Sequence, residues 1–176
     1  MHGSFFIGMV LYPPLMKDAK MIRLQVWIDA PQDVVYDLIA KTENLGAWWE
    51  AHTEYDVDGQ KVIEHTPGPL HDTVRFAVIE NEPHERVIWE CINTSMRKGT
   101  PGCEWPGTQI RFELHERNHF RDAFGEWADA IKGTTVLEFS HIGWPPQSVY
   151  MSFCTTAWAN ALNKLKQVAE ARATAQ

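Results

Sequence analysis

The sequence predicts an α+β fold in which one antiparallel sheet packs its apolar face against a long C-terminal helix. Three observations carry that reading. Several short segments alternate apolar and polar residues with period two, and turn residues such as Asp58-Gly59 punctuate them. Residues 146–172 instead repeat apolar side chains at steps of three and four. A chain of 176 residues, 44% of them hydrophobic, is long enough for one domain with a core and a cavity.

The elements follow in chain order. In "IRLQVWI" (22–28), Ile22, Leu24, Val26 and Ile28 share one face of a strand. Next, "DAPQDVVYDLIAKTENLGAWW" (29–49) offers Asp29 as a cap and Pro31 in a first helical turn. Val34, Val35, Leu38 and Ile39 form its stripe, and a second short helix runs from Glu43 to Trp48. Asp58-Gly59 joins a hairpin. The following strands present Val74, Phe76 and Val78, then Val87, Trp89 and Cys91, then Thr108, Ile110, Phe112 and Leu114, then Thr135, Leu137, Phe139 and His141. Between the last two strands, Phe120, Phe124, Trp127 and Ile131 recur at helical spacing. This predicts an extra helix over 118–132, with Asn118 as its cap and Gly133 as its stop. The final helix carries Met151, Thr155, Trp158, Leu162, Leu165 and Ala169 on one face. Residues 1–20 read as an N-terminal extension, 21–172 as the domain and 173–176 as a tail. The apolar run from Phe5 to Leu11 lacks a basic flank and is too short to span a bilayer, so neither a signal peptide nor a membrane span is expected.

Composition narrows the function. The net charge is −7 and the basic residues are unclustered, which argues against nucleic acid and anionic membranes as partners. Cys91, Cys103 and Cys154 are odd in number and lack C-x-x-C spacing, so a reducing cytoplasm is the expected location. Eight tryptophans and eight phenylalanines supply rings for a core and for the lining of an apolar pocket.

Five pieces, "DAPQDVVYDLIAKTENLGAWW" (29–49), "ENEPHERVIWEC" (80–91), "EWPGTQIRFEL" (104–114), "TTVLEFSHIGW" (134–144) and "WANALNKLK" (158–166), carry a resemblance. The chain resembles the START/Bet v 1-like helix-grip superfamily, also called SRPBCC. Within it, the chain is most similar to the branch named after the homologue of the heat-shock-protein-90 ATPase activator, which is related to polyketide cyclases. The resemblance implies a seven-stranded sheet wrapped around the C-terminal helix, with a cavity between them. It implies no shared catalytic constellation. Residues 117–133 depart from the pattern as an insertion.

"HERNH" (115–119) fits the H-E-x-x-H pattern of zinc proteases, and Glu138 follows. That chemistry needs both histidines one turn apart on one helix. Here His115 belongs to a strand and His119 opens the insertion, so no metal site is expected, nor any cofactor. His65 and His71 flank "TPGP" and read as surface histidines, while Cys91 and Cys154 read as buried small hydrophobes.

The residues expected to line a ligand cavity are Trp49, Phe76, Trp89, Phe112, Phe139, His141, Tyr150 and Trp158. His141 and Tyr150 are the catalytic candidates if the protein is an enzyme. The strands carry no inward Asp or Glu, and this favours binding of a small hydrophobic or aromatic molecule. The alternatives are a cyclase or dehydratase acting on a polyketide-like or aromatic substrate, and a co-chaperone-like interaction module. The insertion serves either as a lid or as the contact of a homodimer.

Overall fold

The computed structural model describes residues 19–66, 73–95 and 98–175. Strand β1 (Lys20–Ile28) is followed by α1 (Gln32–Ala40) and α2 (Thr42–Leu45). Then come β2 (Thr53–Val57), β3 (Gln60–His65), β4 (Val74–Glu82), β5 (Arg86–Thr94) and β6 (Gln109–Glu116). Two single-turn helices, α3 (Arg121–Phe124) and α4 (Trp127–Ala130), precede β7 (Thr135–Trp144) and the long helix α5 (Met151–Thr174). The strands form one antiparallel sheet of seven in the order β1-β7-β6-β5-β4-β3-β2. This is the helix-grip arrangement.

The alternation puts the expected residues on the inner face. Ile110, Phe112, Leu114, Leu137 and Phe139 are all buried, while Arg111, Glu113, Glu138 and Ser140 on the opposite face are only partly covered. A strand alternates its side chains, so this division fixes the register of β6 against β7, in which Phe112 lies opposite Phe139. Helix α5 meets that face with Cys154, Trp158, Leu162, Leu165 and Ala169. Met151 and Thr155, expected on the stripe, lie at its edge, half-buried. The helix starts later than expected because Pro145-Pro146 leads into a turn, and Ser148 Oγ then accepts the Met151 N–H at 3.1 Å. It continues past residue 172 to Thr174. Asp29 does not cap α1. Its N–H instead donates to Glu170 on α5 at 2.9 Å, tying the end of β1 to the helix.

Asp58 and Gly59 both have positive φ, 53° and 82°, as a two-residue hairpin turn requires. The insertion differs from expectation. It is not one helix: Arg117–Phe120 form a 3-10 turn, and Gly125 (φ 54°, ψ −134°) separates α3 from α4. The steps of four, three and four residues pass straight over Gly125, whose positive φ breaks the helix. The segment is neither a lid over the inner face nor a free arm. It folds back on the outer face of the sheet, where Phe120 and Phe124 pack on Trp27 at 6.1 and 5.7 Å between ring centroids. Val136 lies between Trp27 and His115 across the strands, and it is fully buried although it points outward. Gly133 closes the return. A Cβ there would sit 3.0 Å from the Ile28 nitrogen, so no larger residue fits this approach.

Candidate binding cleft

Inside the grip, aromatic rings form a continuous stack. Trp89 touches Phe112 (4.8 Å), Phe112 touches Phe139 (5.4 Å) and Phe139 touches Trp158 (4.7 Å). Each of these four residues is at most 3% exposed. Trp49, from the turn after α2, joins the stack from the side. It lies parallel to Trp89 at 6.1 Å and meets Trp158 at 4.9 Å and Phe76 at 6.1 Å. The structure therefore brings Trp49, Phe76, Trp89, Phe112, Phe139 and Trp158 together as expected, but in ring-to-ring contact. Tyr150 packs at the margin of this core.

His141 sits within the stack, fully buried, and both its nitrogens are engaged. Trp158 Nε1 can only donate, and it meets His141 Nδ1 at 3.2 Å, so Nδ1 carries the lone pair. The hydrogen is then on Nε2, which reaches Thr108 Oγ1 at 2.8 Å. Thr108 in turn donates to the Trp105 carbonyl at 2.6 Å. Every proton in this chain has a place. Burial holds the imidazole neutral by pushing its pKa down to about 3. No hydrogen bond joins His141 to Tyr150, and no nitrogen remains for a substrate.

Open space adjoins the stack at one end, a cleft of about 270 Å³. Its walls include Trp49, His65, Val74, Trp105, Cys154 and Phe153. Of the expected lining residues, Trp49 borders it. Trp105 lies in the turn after Pro101–Glu104 and stacks on Trp158 at 6.1 Å, with an angle of 21° between the rings. At the mouth, Phe153 is 63% exposed.

His65 corrects the surface assignment: it is 4% exposed. It ends β3 on the same face as Ile63, so the period-two alternation reaches through it into the core. The neighbouring "TPGP" hid that signal, and Trp105 lies in "CEWPG", which has no periodicity to read. His71 lies outside the described residues. The ring of His65 packs on Trp49 at 4.7 Å and on His52 at 4.4 Å. Burial, with His52 nearby, lowers its pKa to about 3, and burial lowers that of His52 to about 4. Cys91 and Cys154 are buried as expected, and burial raises their thiols to about 12 and about 11, so neither supplies a thiolate.

On the outer face the HERNH residues do not share a helix. His115 is on β6 and His119 is in the 3-10 turn, with the two rings stacked at 4.5 Å. Cross-strand pairing brings Glu138 to 3.7 Å from His115 Nε2. One ligand atom from each of Glu113, His115 and Glu138 falls within a 4.8 Å span. These groups could hold a divalent cation, but Arg86 already lies 3.9 Å from Glu113, and the arrangement also stands as a cross-strand ion-pair group.

Several solved structures share this fold. One is the Aha1 dimer from Colwellia psychrerythraea, 22% identical, with 86% of this chain and 96% of that one covered and a TM-score of 0.60. A Mesorhizobium loti protein matches at 14% identity, 84% and 95% coverage and a TM-score of 0.60. CalU16 from Micromonospora echinospora matches at 17% identity, 85% and 74% coverage and a TM-score of 0.58. At such identities the likeness establishes the fold alone. No family model and no curated protein matches the chain. No helix among the described residues is long and apolar enough to cross a membrane.

Proposed function

We propose that this protein binds a small, largely apolar, ring-bearing molecule in the cleft between Trp49, Trp105, His65 and the first turns of α5. The observation that carries the reading is the cleft itself. It is open at the surface, walled by aromatic rings, and floored by a packed stack. Its volume is just below the range of about 300–1,000 Å³ usual for small-molecule sites, which suits one or two fused rings. The resemblance of the chain to the helix-grip superfamily, with its expected cavity between sheet and helix, supports the reading by analogy.

Binding is favoured over catalysis because His141 has no free nitrogen and the nearby thiols are held protonated. The three free cysteines fit a reducing cytoplasm. The acidic net charge fits a protein with no nucleic-acid partner.

The test is native mass spectrometry of gently purified protein, comparing wild type with Ala157→Phe. Residue 157 is exposed on α5 and borders the cleft, so a ring there fills the mouth without disturbing the core. A bound small molecule at one per chain, reduced in the variant, is expected. An empty wild-type protein, together with unaltered binding of an added aromatic probe in the variant, contradicts the reading.

Self-association is a second reading, carried by Trp127, which is 75% exposed on the insertion. The Colwellia protein was solved as a dimer. Sedimentation of Trp127→Ser checks it: a shift from dimer to monomer supports a homodimer through this ring, and a monomeric wild type excludes one.

A further inference from the structure

The cleft holds a polar feature that an apolar ligand alone does not explain. His65 is 96% buried, since only 4% is exposed, and it borders the cleft, yet its Nδ1 meets no hydrogen-bond partner among the described residues. Behind it, His52 does not itself line the cleft, and its enclosed Nε2 is likewise unpartnered among the described residues. Buried polar nitrogens are nearly always hydrogen-bonded, so two adjacent rings with unpartnered nitrogens, one of them bordering a cleft, point to a position where another molecule completes the bonding.

The chemistry of the missing group follows from the protons. His52 Nδ1 lies 2.6 Å from the Glu50 carbonyl oxygen. A carbonyl has no hydrogen to give, so Nδ1 carries the hydrogen and Nε2 of the neutral ring is a bare lone pair. It needs a donor. His65 Nδ1 carries either a hydrogen or a lone pair, according to tautomer. A hydroxyl suits both cases, because it donates one hydrogen and accepts others. A carboxylate cannot donate to the lone pair, and a bare ring satisfies neither nitrogen.

We infer that His65, supported by His52, selects a neutral aromatic molecule bearing a hydroxyl, in preference to the same ring unsubstituted or carrying a carboxylate. This rests on the cleft being a ligand site. The rings of Trp49 and Trp105 hold the apolar body, and the histidine pair reads the single polar substituent. His65 is then a specificity residue, and His52 fixes which hydrogen the substituent must bring.

The experiment is an NMR titration of the full chain with naphthalene, 2-naphthol and 2-naphthoate, against wild type, His65→Leu, His65→Gln and Ala157→Phe. Wild type should bind 2-naphthol at least about tenfold more tightly than either analogue, since a site built to bond a hydroxyl rejects molecules without one. In His65→Leu that preference should vanish while naphthalene affinity holds. His65→Gln keeps a hydrogen-bonding side chain and should retain part of the preference, which separates specificity from misfolding. Equal binding of naphthol and naphthalene by wild type, with both blocked in Ala157→Phe, overturns the hydroxyl inference and leaves the cleft standing as a ligand site. If none of the three binds wild type, or binding is indifferent to Ala157→Phe, both readings fall.

Discussion

His141 and His65 lie in the same aromatic layer, both almost fully enclosed and both held neutral by burial. They differ in where their nitrogens' bonds go. His141 is closed by Trp158, Thr108 and, beyond it, the Trp105 carbonyl. His65 borders the cleft, and its enclosed Nδ1 has no hydrogen-bond partner among the described residues. A satisfied histidine is part of the scaffold, and an unsatisfied one beside a cleft is where the proposed ligand would bond. Burial and a depressed pKa do not by themselves mark a functional histidine; what sets His65 apart is an unfilled bond combined with a place on the cleft wall.

The comparison can be tested by substitution, starting with the layer that holds both residues. Phe112 is fully buried and contacts Trp48, Trp89 and Phe139. Phe112→Ala should cost about 3–5 kcal/mol in urea unfolding. A loss well below that would mean the stack borders open space and that the two histidines share one cavity. His141→Ala comes next, at about 3 kcal/mol, because it strands the Trp158 N–H and the Thr108 hydroxyl in the interior. A loss below about 1 kcal/mol would remove the distinction between the residues.

Acid provides a graded test. Both histidines have folded pKa values of about 3, below the ordinary 6.5 of the unfolded chain. Between those values the unfolded state binds more protons. The stability they contribute is therefore complete above about pH 6.5 and is lost as pH falls toward 3. The slope is about 1.4 kcal/mol per pH unit for each histidine. Unfolding measured from pH 7 to pH 5 should show a decline of that order, flattened by one proton in either single variant. An unchanged slope in His65→Leu would mean that His65 takes up its proton without unfolding.

At neutral pH the two residues should differ in sign. His65→Leu removes a polar group that has an unfilled bond, so stability should hold or rise by about 1 kcal/mol. A loss comparable to that of His141→Ala would show that the open nitrogen is satisfied after all. The smallest effect belongs to the outer face. Dialysis against a strong chelator should leave the melting temperature unchanged, since Glu113, His115 and Glu138 already have Arg86 and one another. A drop that zinc restores in wild type, but not in His115→Ala, would establish a metal site there.

Much of this was legible in the sequence because strands announce their faces. Phe112, Phe139, Trp89 and His141 are placed correctly by alternation alone, and Trp158 by its helical step. What alternation cannot give is how tightly facing rings close on each other, so the sequence pointed to a cavity along the whole layer where the structure shows contact. The cleft escaped for another reason. Trp49, Trp105 and Phe153 come from a turn, a loop and a helix start, and only the tertiary fold brings them to one rim. The insertion departs from its pattern because its spacing fits a helix and Gly125 interrupts it only through its backbone angle.

The pairing of β1 with β7 has a consequence for how the chain reaches this state. Trp27 sits opposite Val136, and Lys20 opposite Trp144, so the first strand has no neighbour until the last one exists. The hairpins β2–β3, β4–β5 and β3–β4 close over short loops, but this contact closes a loop of more than 100 residues. Such long-range pairings slow folding, because the entropy of closing the loop is lost before the contact gives anything back. On the ribosome, β1 emerges with Ile22 and Ile28 uncovered and waits for most of the chain. Until β7 exists, the apolar face of β1 has no strand beside it, and that is the stretch of the chain open longest to wrong contacts.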